Sequence, residues 1–203
     1  RRRRSDRRAP SAPADVVELL PGRYPGGCDL TVGGIVEHNE ALLLTSAGAL
    51  IEADAEGLSL RVSGEPTRLY GLTLEGRLEV VASGTTVDSS TVAELAVTPG
   101  LERFTLLFSE VAEVTLEADS VVARGNTAGS LAVVANDGLV ADNGVWGDLQ
   151  TTVPAERNLV LGDLRADGDA FANVVVGAVD GPRRLYGNTL LGAVLGAPDA
   201  RNN

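Results

Sequence analysis

Catalysis in proteins often depends on histidine, and this chain contains a single one, His38. One histidine excludes a metal site with two histidine ligands, and it excludes a catalytic pair supported by a second histidine. His38 stands between Glu37 and Asn39, in a polar setting typical of a protein surface. The sequence therefore predicts no catalytic residue, and we expect the protein not to be an enzyme.

The acidic residues Asp163, Asp167 and Asp169, with Gly168, superficially have the composition of a calcium loop. They lack the D-x-D-x-D-G ligand spacing and the distal glutamate that such a loop requires. Phosphate loops, dinucleotide fingerprints and nucleophile elbows are also absent from the sequence. We interpret the acidic residues as part of a solvated turn and predict neither a metal site nor a cofactor.

The first eight residues form a strongly basic arm, followed by a Pro/Ala/Ser spacer that ends at Ala14. Six arginines could bind phosphates with salt-dependent affinity, or grip an acidic surface of a neighbouring subunit. Binding to anionic lipids and a dibasic processing site are two further interpretations of the arm. No aromatic residue accompanies them to stack on bases, so any contact with nucleic acid would be non-specific. The candidate partner-binding residues are Arg1, Arg2, Arg3, Arg4, Arg7 and Arg8.

Charge divides the chain into two parts. The arm carries a net charge of +5 and the whole chain −11, which leaves −16 on the remaining 195 residues. An acidic body repels nucleic acid whereas a basic arm attracts it, so the two parts favour different partners. No run of about 18 apolar residues is present, and we predict no membrane span.

The C-terminal quarter contains a fifteen-residue repeat, the strongest architectural signal in the sequence. Four asparagines occur at this spacing, and each is followed four residues later by glycine. Two adjacent apolar residues lie between each asparagine and its glycine, and one of each pair cannot face a core. The asparagines are Asn143, Asn158, Asn173 and Asn188; the glycines are Gly147, Gly162, Gly177 and Gly192; the second apolar residues are Trp146, Leu161, Val176 and Leu191.

Short apolar segments at a fixed period, bracketed by turn residues, are typical of stacked coils. We therefore predict an all-β fold with a β-solenoid, or parallel β-helix, at least in residues 143–194. Asparagine at each corner would stack into a hydrogen-bonded ladder, and replacing Asn173 by leucine should cost about 1 to 3 kcal/mol. An antiparallel β-sandwich or jelly roll remains the alternative, because a strand and a turn also fill fifteen residues.

Elsewhere, short apolar runs alternate with Gly, Asp, Asn or Ser, which favours strands throughout. Two short helical stretches are expected: a turn that Asp15 caps through Leu20, and one near residues 91–95. Residues 66–76 resemble residues 182–192 in sequence, and the resemblance marks two related half-domains, two equivalent corners of one solenoid, or a coincidence. We predict an arm and docking loop in residues 1–27 and an all-β domain in residues 28–203.

A basic arm, a Pro/Ala hinge and a β domain are similar in layout to small viral coat or capsid-associated proteins. That resemblance implies a non-enzymatic structural protein of a multi-subunit particle, viral or phage, in which the arm grips a neighbour or nucleic acid. The apolar residues Trp146, Leu161, Val176 and Leu191 are then candidate interface residues. A virion or a cytoplasmic assembly is the location that this hypothesis favours, with copies of the chain and other subunits as partners.

Two other functions remain open. A repeat of this kind is also similar to bactofilin-type proteins, which implies a self-polymerising β-helical scaffold. The clear repeat covers only residues 143–194, and its step of fifteen residues is shorter than the coils expected of that family. A carbohydrate-active β-solenoid is the second alternative, since such enzymes place carboxylates on a solenoid face without local motifs.

Overall fold

In the computed structural model, residues 15–32, 42–46, 48–196 and 200–201 are described, and these residues contain strands and no helix. The strands are β1 (Asp15–Leu19), β2 (Gly22–Tyr24), β3 (Cys28–Val32), β4 (Leu42–Ser46), β5 (Ala49–Ile51), β6 (Leu58–Gly64), β7 (Thr67–Tyr70), β8 (Thr73–Val80), β9 (Thr85–Asp88), β10 (Thr91–Val97), β11 (Leu101–Leu107), β12 (Glu110–Arg124), β13 (Thr127–Val134), β14 (Asp137–Ala141), β15 (Gly144–Val145), β16 (Leu149–Thr151), β17 (Ala155–Glu156), β18 (Leu159–Val160), β19 (Leu164–Ala166), β20 (Ala170–Phe171), β21 (Val174–Val175), β22 (Val179–Asp180), β23 (Leu185–Tyr186), β24 (Thr189–Leu190), β25 (Val194–Leu195) and β26 (Ala200–Arg201).

The chain winds through three columns of strands, which we call faces A, B and C. Face A runs through β1, β4, β7, β9, β11, the end of β12, β14, β17, β20, β23 and β26. Face B runs through β2, β5, the starts of β8, β10, β12 and β13, then β15, β18, β21 and β24. Face C runs through β3, β6, the later parts of β8, β10, β12 and β13, then β16, β19, β22 and β25.

Every strand pairing among the described residues is parallel and joins one coil to the next. The predicted parallel β-solenoid is therefore confirmed, and it extends well beyond residues 143–194. The antiparallel sandwich or jelly roll is wrong, because those folds require antiparallel neighbours.

The core lies inside the coils and consists mainly of stacked valine, leucine and alanine. Leu149, Leu164 and Val179 occupy one such column on face C, and all three are completely buried. Strand side chains alternate in direction, so every second residue points into the core and its neighbours point outward. This regular stacking explains how a chain with 3% aromatic residues forms an extensive core.

Both predicted helical stretches are wrong. Residues 15–19 form β1, which pairs in register with β4, and residues 91–97 form β10, which pairs with β8 on one side and β12 on the other. The β-branched residues Val16, Val17 and Val92 suit extended backbone, and the hydrogen bonds of neighbouring coils outweigh a local helix cap.

The upstream coils are longer than the last three coils. Equivalent corner residues are separated by 18, 19, 17 and 17 residues in successive coils and by 15 in the last three. These steps connect Leu72 to Asn188, so residues 66–76 and 182–192 occupy equivalent corners of one solenoid. The arginines of the arm and His38 lie outside the described residues.

Candidate functional site

Face B meets face A at a corner that a ladder of buried asparagines supports. The Oδ1 atom of Asn173 accepts hydrogen bonds from the backbone N–H of Asn158 at 2.9 Å and from its Nδ2 at 3.0 Å. The Nδ2 atom of Asn173 in turn donates to the carbonyl of Ala155 at 2.8 Å and to Oδ1 of Asn188 at 3.0 Å. Asn143 and Asn158 form the same contacts one coil apart. The ladder thus satisfies buried backbone groups at every turn of these coils.

The ladder continues upstream, where the sequence pattern did not identify it. Asn126 donates from its backbone N–H and its Nδ2 to Oδ1 of Asn143. In longer coils serine takes the position: the hydroxyl of Ser109 accepts from the backbone N–H of Ser90, and the hydroxyl of Ser90 accepts from that of Leu72. The change of coil length from 15 to 17 residues hides Asn126 from a fixed-period search. The Gly-Asn-Thr tripeptide at residues 125–127 and again at 187–189 is the signal that could have found it.

Each ladder residue follows a residue in the left-handed backbone region. The asparagines themselves do not adopt positive φ. The left-handed column comprises Gly71, Ser89, Phe108, Gly125, Asp142, Arg157, Ala172 and Gly187, with φ between 47° and 70°. Residues other than glycine, asparagine and aspartate rarely adopt this conformation, since the β-carbon crowds the following carbonyl.

Replacing Ala172 by glycine is expected to stabilise the protein by about 1 kcal/mol, because φ is +52° at this position. Chemical denaturation monitored by circular dichroism measures the change. The control is Ala96→Gly in β10, where φ is not positive and glycine should destabilise by about 0.5 to 1 kcal/mol. Equal destabilisation in both variants would contradict backbone strain at Ala172.

Exposed charges line the same corner. Asp142 binds Arg124 through Nε at 3.0 Å and Arg157 through Nε at 2.7 Å and Nη2 at 3.0 Å. The side-chain hydrogen bond from Arg157 lowers the pKa of the Asp142 carboxyl below its usual value. These groups are exposed, so the ion pairs contribute little to stability. We assign them a supporting role at the corner.

The corner between faces B and C brings the backbones of adjacent coils close together. A β-carbon on Gly177 would lie 2.4 Å from the carbonyl oxygen of Gly162, and one on Gly192 would lie 2.2 Å from that of Gly177. Beside these glycines, the Asp148 carboxylate accepts a hydrogen bond from the backbone N–H of Asp163 at 2.8 Å. The Asp163 carboxylate accepts one from the backbone N–H of Ala178, also at 2.8 Å. These two aspartates therefore take part in the architecture of the turn.

Face B presents a line of large apolar side chains to the outside, which we call the ridge: Trp146, Leu161, Val176 and Leu191. Their exposed fractions are 63, 38, 41 and 72%. Hydrogen bonds from the backbone N–H of Leu161 to Val145, of Val176 to Val160 and of Leu191 to Val175 stack them one coil apart. Leu159 and Val174, also exposed, widen the ridge on the neighbouring outward column.

The outward column that contains Trp146 and Leu161 continues upstream as a shallow groove of about 490 Å³. Its floor consists of Ala93, Ala112 and Gly129, and Trp146 stands at its downstream end. Upstream of Trp146 the outward column holds these three small residues and, before them, the exposed Glu75, whereas the downstream coils carry large apolar residues. The structure therefore unites the four predicted interface residues in one ridge and adds a groove that the sequence did not reveal.

Potential metal ligands do not cluster in the described part of the chain. It contains no group of three or more His, Cys, Asp or Glu side chains that could hold a metal ion. None of its secondary structure is a helix of the length and hydrophobicity needed to cross a bilayer. Searches against protein-family models, curated proteins and solved structures returned no match to this chain.

Proposed function

We propose that the protein is a non-enzymatic structural protein that assembles with other subunits through face B of its solenoid. The observation that carries this proposal is the ridge, a contiguous line of exposed apolar side chains on a regular, rigid surface. Soluble monomers rarely expose contiguous apolar surface, and larger exposed patches usually mark interaction sites. The solenoid repeats the same outward position every coil, which is how repeat proteins build extended binding surfaces.

The dimensions of face B are compatible with a weak but specific interface. From the start of β8 to β24 the face spans eight coils, or about 34 Å at the usual spacing of strands. With a width of roughly 15 Å, it would bury about 500 Å² on each subunit, close to the lower limit for specific association. We expect dissociation constants in roughly the micromolar range.

Val176→Ser should weaken assembly of the full chain about tenfold, because it removes one apolar side chain from the ridge. Val134→Ser is the matched control: Val134 lies on face C and is 44% exposed, against 41% for Val176. Sedimentation velocity over a range of concentrations measures the association constants of both variants and of the wild-type chain. If V134S and V176S weaken association equally, face B has no special role in assembly. A wild-type chain that stays monomeric would contradict the proposed function.

A capsid or capsid-associated role is the form of this function that the layout of the chain supports. In that form, the six arginines of residues 1–8 would bind a neighbouring subunit or, without sequence preference, nucleic acid. The net charge of −16 on the rest of the chain offers an acidic surface for such an arm on adjacent copies. The arm would then add a salt-dependent contact to the apolar contact of face B.

A self-polymerising scaffold is the second candidate, and the strand edges at the two ends of the solenoid favour it. Within the described residues, β1, β2 and β3 pair only with the next coil, as do β24, β25 and β26 with the preceding one. Open strand edges are templates for pairing with another chain. Polymers formed in this way would join end to end, whereas assembly through face B is lateral.

A further inference from the structure

We infer that the partner of face B is a second copy of this chain, bound antiparallel about a two-fold axis so that the ridge of each copy fills the groove of the other. The inference rests on the proposed function and specifies its partner and geometry. A two-fold interface requires a surface that is complementary to itself. Face B has this property over six coils, because the outward column carries the small residues Ala93, Ala112 and Gly129 directly before the large Trp146, Leu161 and Val176.

The register follows from the position of the boundary between groove and ridge. Gly129 is the last of the three small residues and Trp146 the first residue of the ridge, so the two-fold axis passes between them. At the outer edge of the contact, Leu191 lies opposite the exposed Glu75. Inside it, Trp146 of one copy faces Gly129 of the other, Leu161 faces Ala112, and Val176 faces Ala93. The coil spacing is the same in both halves because both belong to one sheet, so all three contacts form together.

A parallel two-fold arrangement fits the surface less well. It would place ridge on ridge and groove on groove, and the floor formed by Ala93, Ala112 and Gly129 would enclose an unfilled space. Empty apolar space loses the contacts that a well-packed interface makes. The antiparallel arrangement fills the groove and buries about 1,000 Å² in total, as estimated from the eight coils between β8 and β24 that overlap in the dimer.

The test uses cysteine pairs in the full chain, with exposed Cys28 replaced by serine. Ala112→Cys and Leu161→Cys are made as separate variants, and each is oxidised alone and in an equimolar mixture. The antiparallel register places residue 112 opposite residue 161, so we expect a disulfide-linked dimer in the mixture and little in either variant alone. Ala93→Cys with Val176→Cys is a second pair with the same expectation, should one variant fold poorly.

Two further pairs distinguish the other outcomes. Ala112→Cys with Leu191→Cys should not cross-link, because these positions lie two coils, about 10 Å, out of register. Leu159→Cys with Leu161→Cys would cross-link in a parallel dimer. A 159–161 product without a 112–161 product overturns the antiparallel geometry and leaves the proposed function standing. A chain that sediments as a monomer overturns both.

Discussion

Replacing Asn173 by leucine is expected to lower the free energy of unfolding by about 3 kcal/mol. Leucine has the same branched arrangement of four side-chain heavy atoms but lacks the Oδ1 acceptor and the Nδ2 donor. The buried backbone N–H of Asn158 and the carbonyl of Ala155 then lose these partners inside the corner. Urea denaturation followed by circular dichroism measures the loss.

Asn173→Ser is the matched control for this change. In the longer coils the hydroxyls of Ser90 and Ser109 accept the backbone N–H of the preceding coil, so serine retains one of the ladder contacts. We therefore expect N173S to be more stable than N173L although serine is smaller. The reverse order would show that volume, and not the hydrogen-bonded ladder, determines stability at this corner.

Replacing Gly177 by alanine is expected to destabilise the protein by about 3 kcal/mol, at the upper end of what overpacking usually costs. The added β-carbon would lie 2.4 Å from the carbonyl oxygen of Gly162 and 2.5 Å from Oδ1 of Asp163. The same carboxylate accepts the backbone N–H of Ala178, so relief of the clash also breaks this bond. The measurement is again chemical denaturation, at a protein concentration below that of assembly.

Gly144→Ala tests whether the effect at Gly177 comes from the contact between coils. Gly144 belongs to the same repeat, its φ is not positive, and a β-carbon there would meet no atom within 4 Å. Alanine should therefore be neutral or stabilise by about 0.5 kcal/mol. Destabilisation of the two variants to the same extent would contradict the close approach of successive coils at Gly177.

The fifteen-residue spacing of the asparagines is sufficient to predict the solenoid in the last coils, because equal coils repeat every side-chain contact. A fixed spacing does not identify the upstream part of the ladder, because coils of 17 to 19 residues place Asn126, Ser109 and Ser90 at unequal intervals. The predicted helical turn after Asp15 is wrong because local capping signals carry no information about the neighbouring strand β4. Pairing between coils outweighs local preference.

The ridge follows from the sequence, since two adjacent apolar residues cannot both face the core. The groove does not, because Ala93, Ala112 and Gly129 are small residues at spacings of 19 and 17, and no local pattern distinguishes them from core residues. Their alignment with Trp146 appears only when the register of β10, β12, β13 and β15 is known. The capsid role and the function of the arm stay predictions.

Small-angle X-ray scattering of the associated protein tests lateral assembly through face B most directly. Face B runs through ten coils from β2 to β24, about 43 Å, and the two-fold axis lies one coil from its midpoint. The antiparallel dimer should therefore double the cross-section of the particle and lengthen it by only about 10 Å. An unchanged cross-section with a doubled length would contradict this account and favour end-to-end polymerisation.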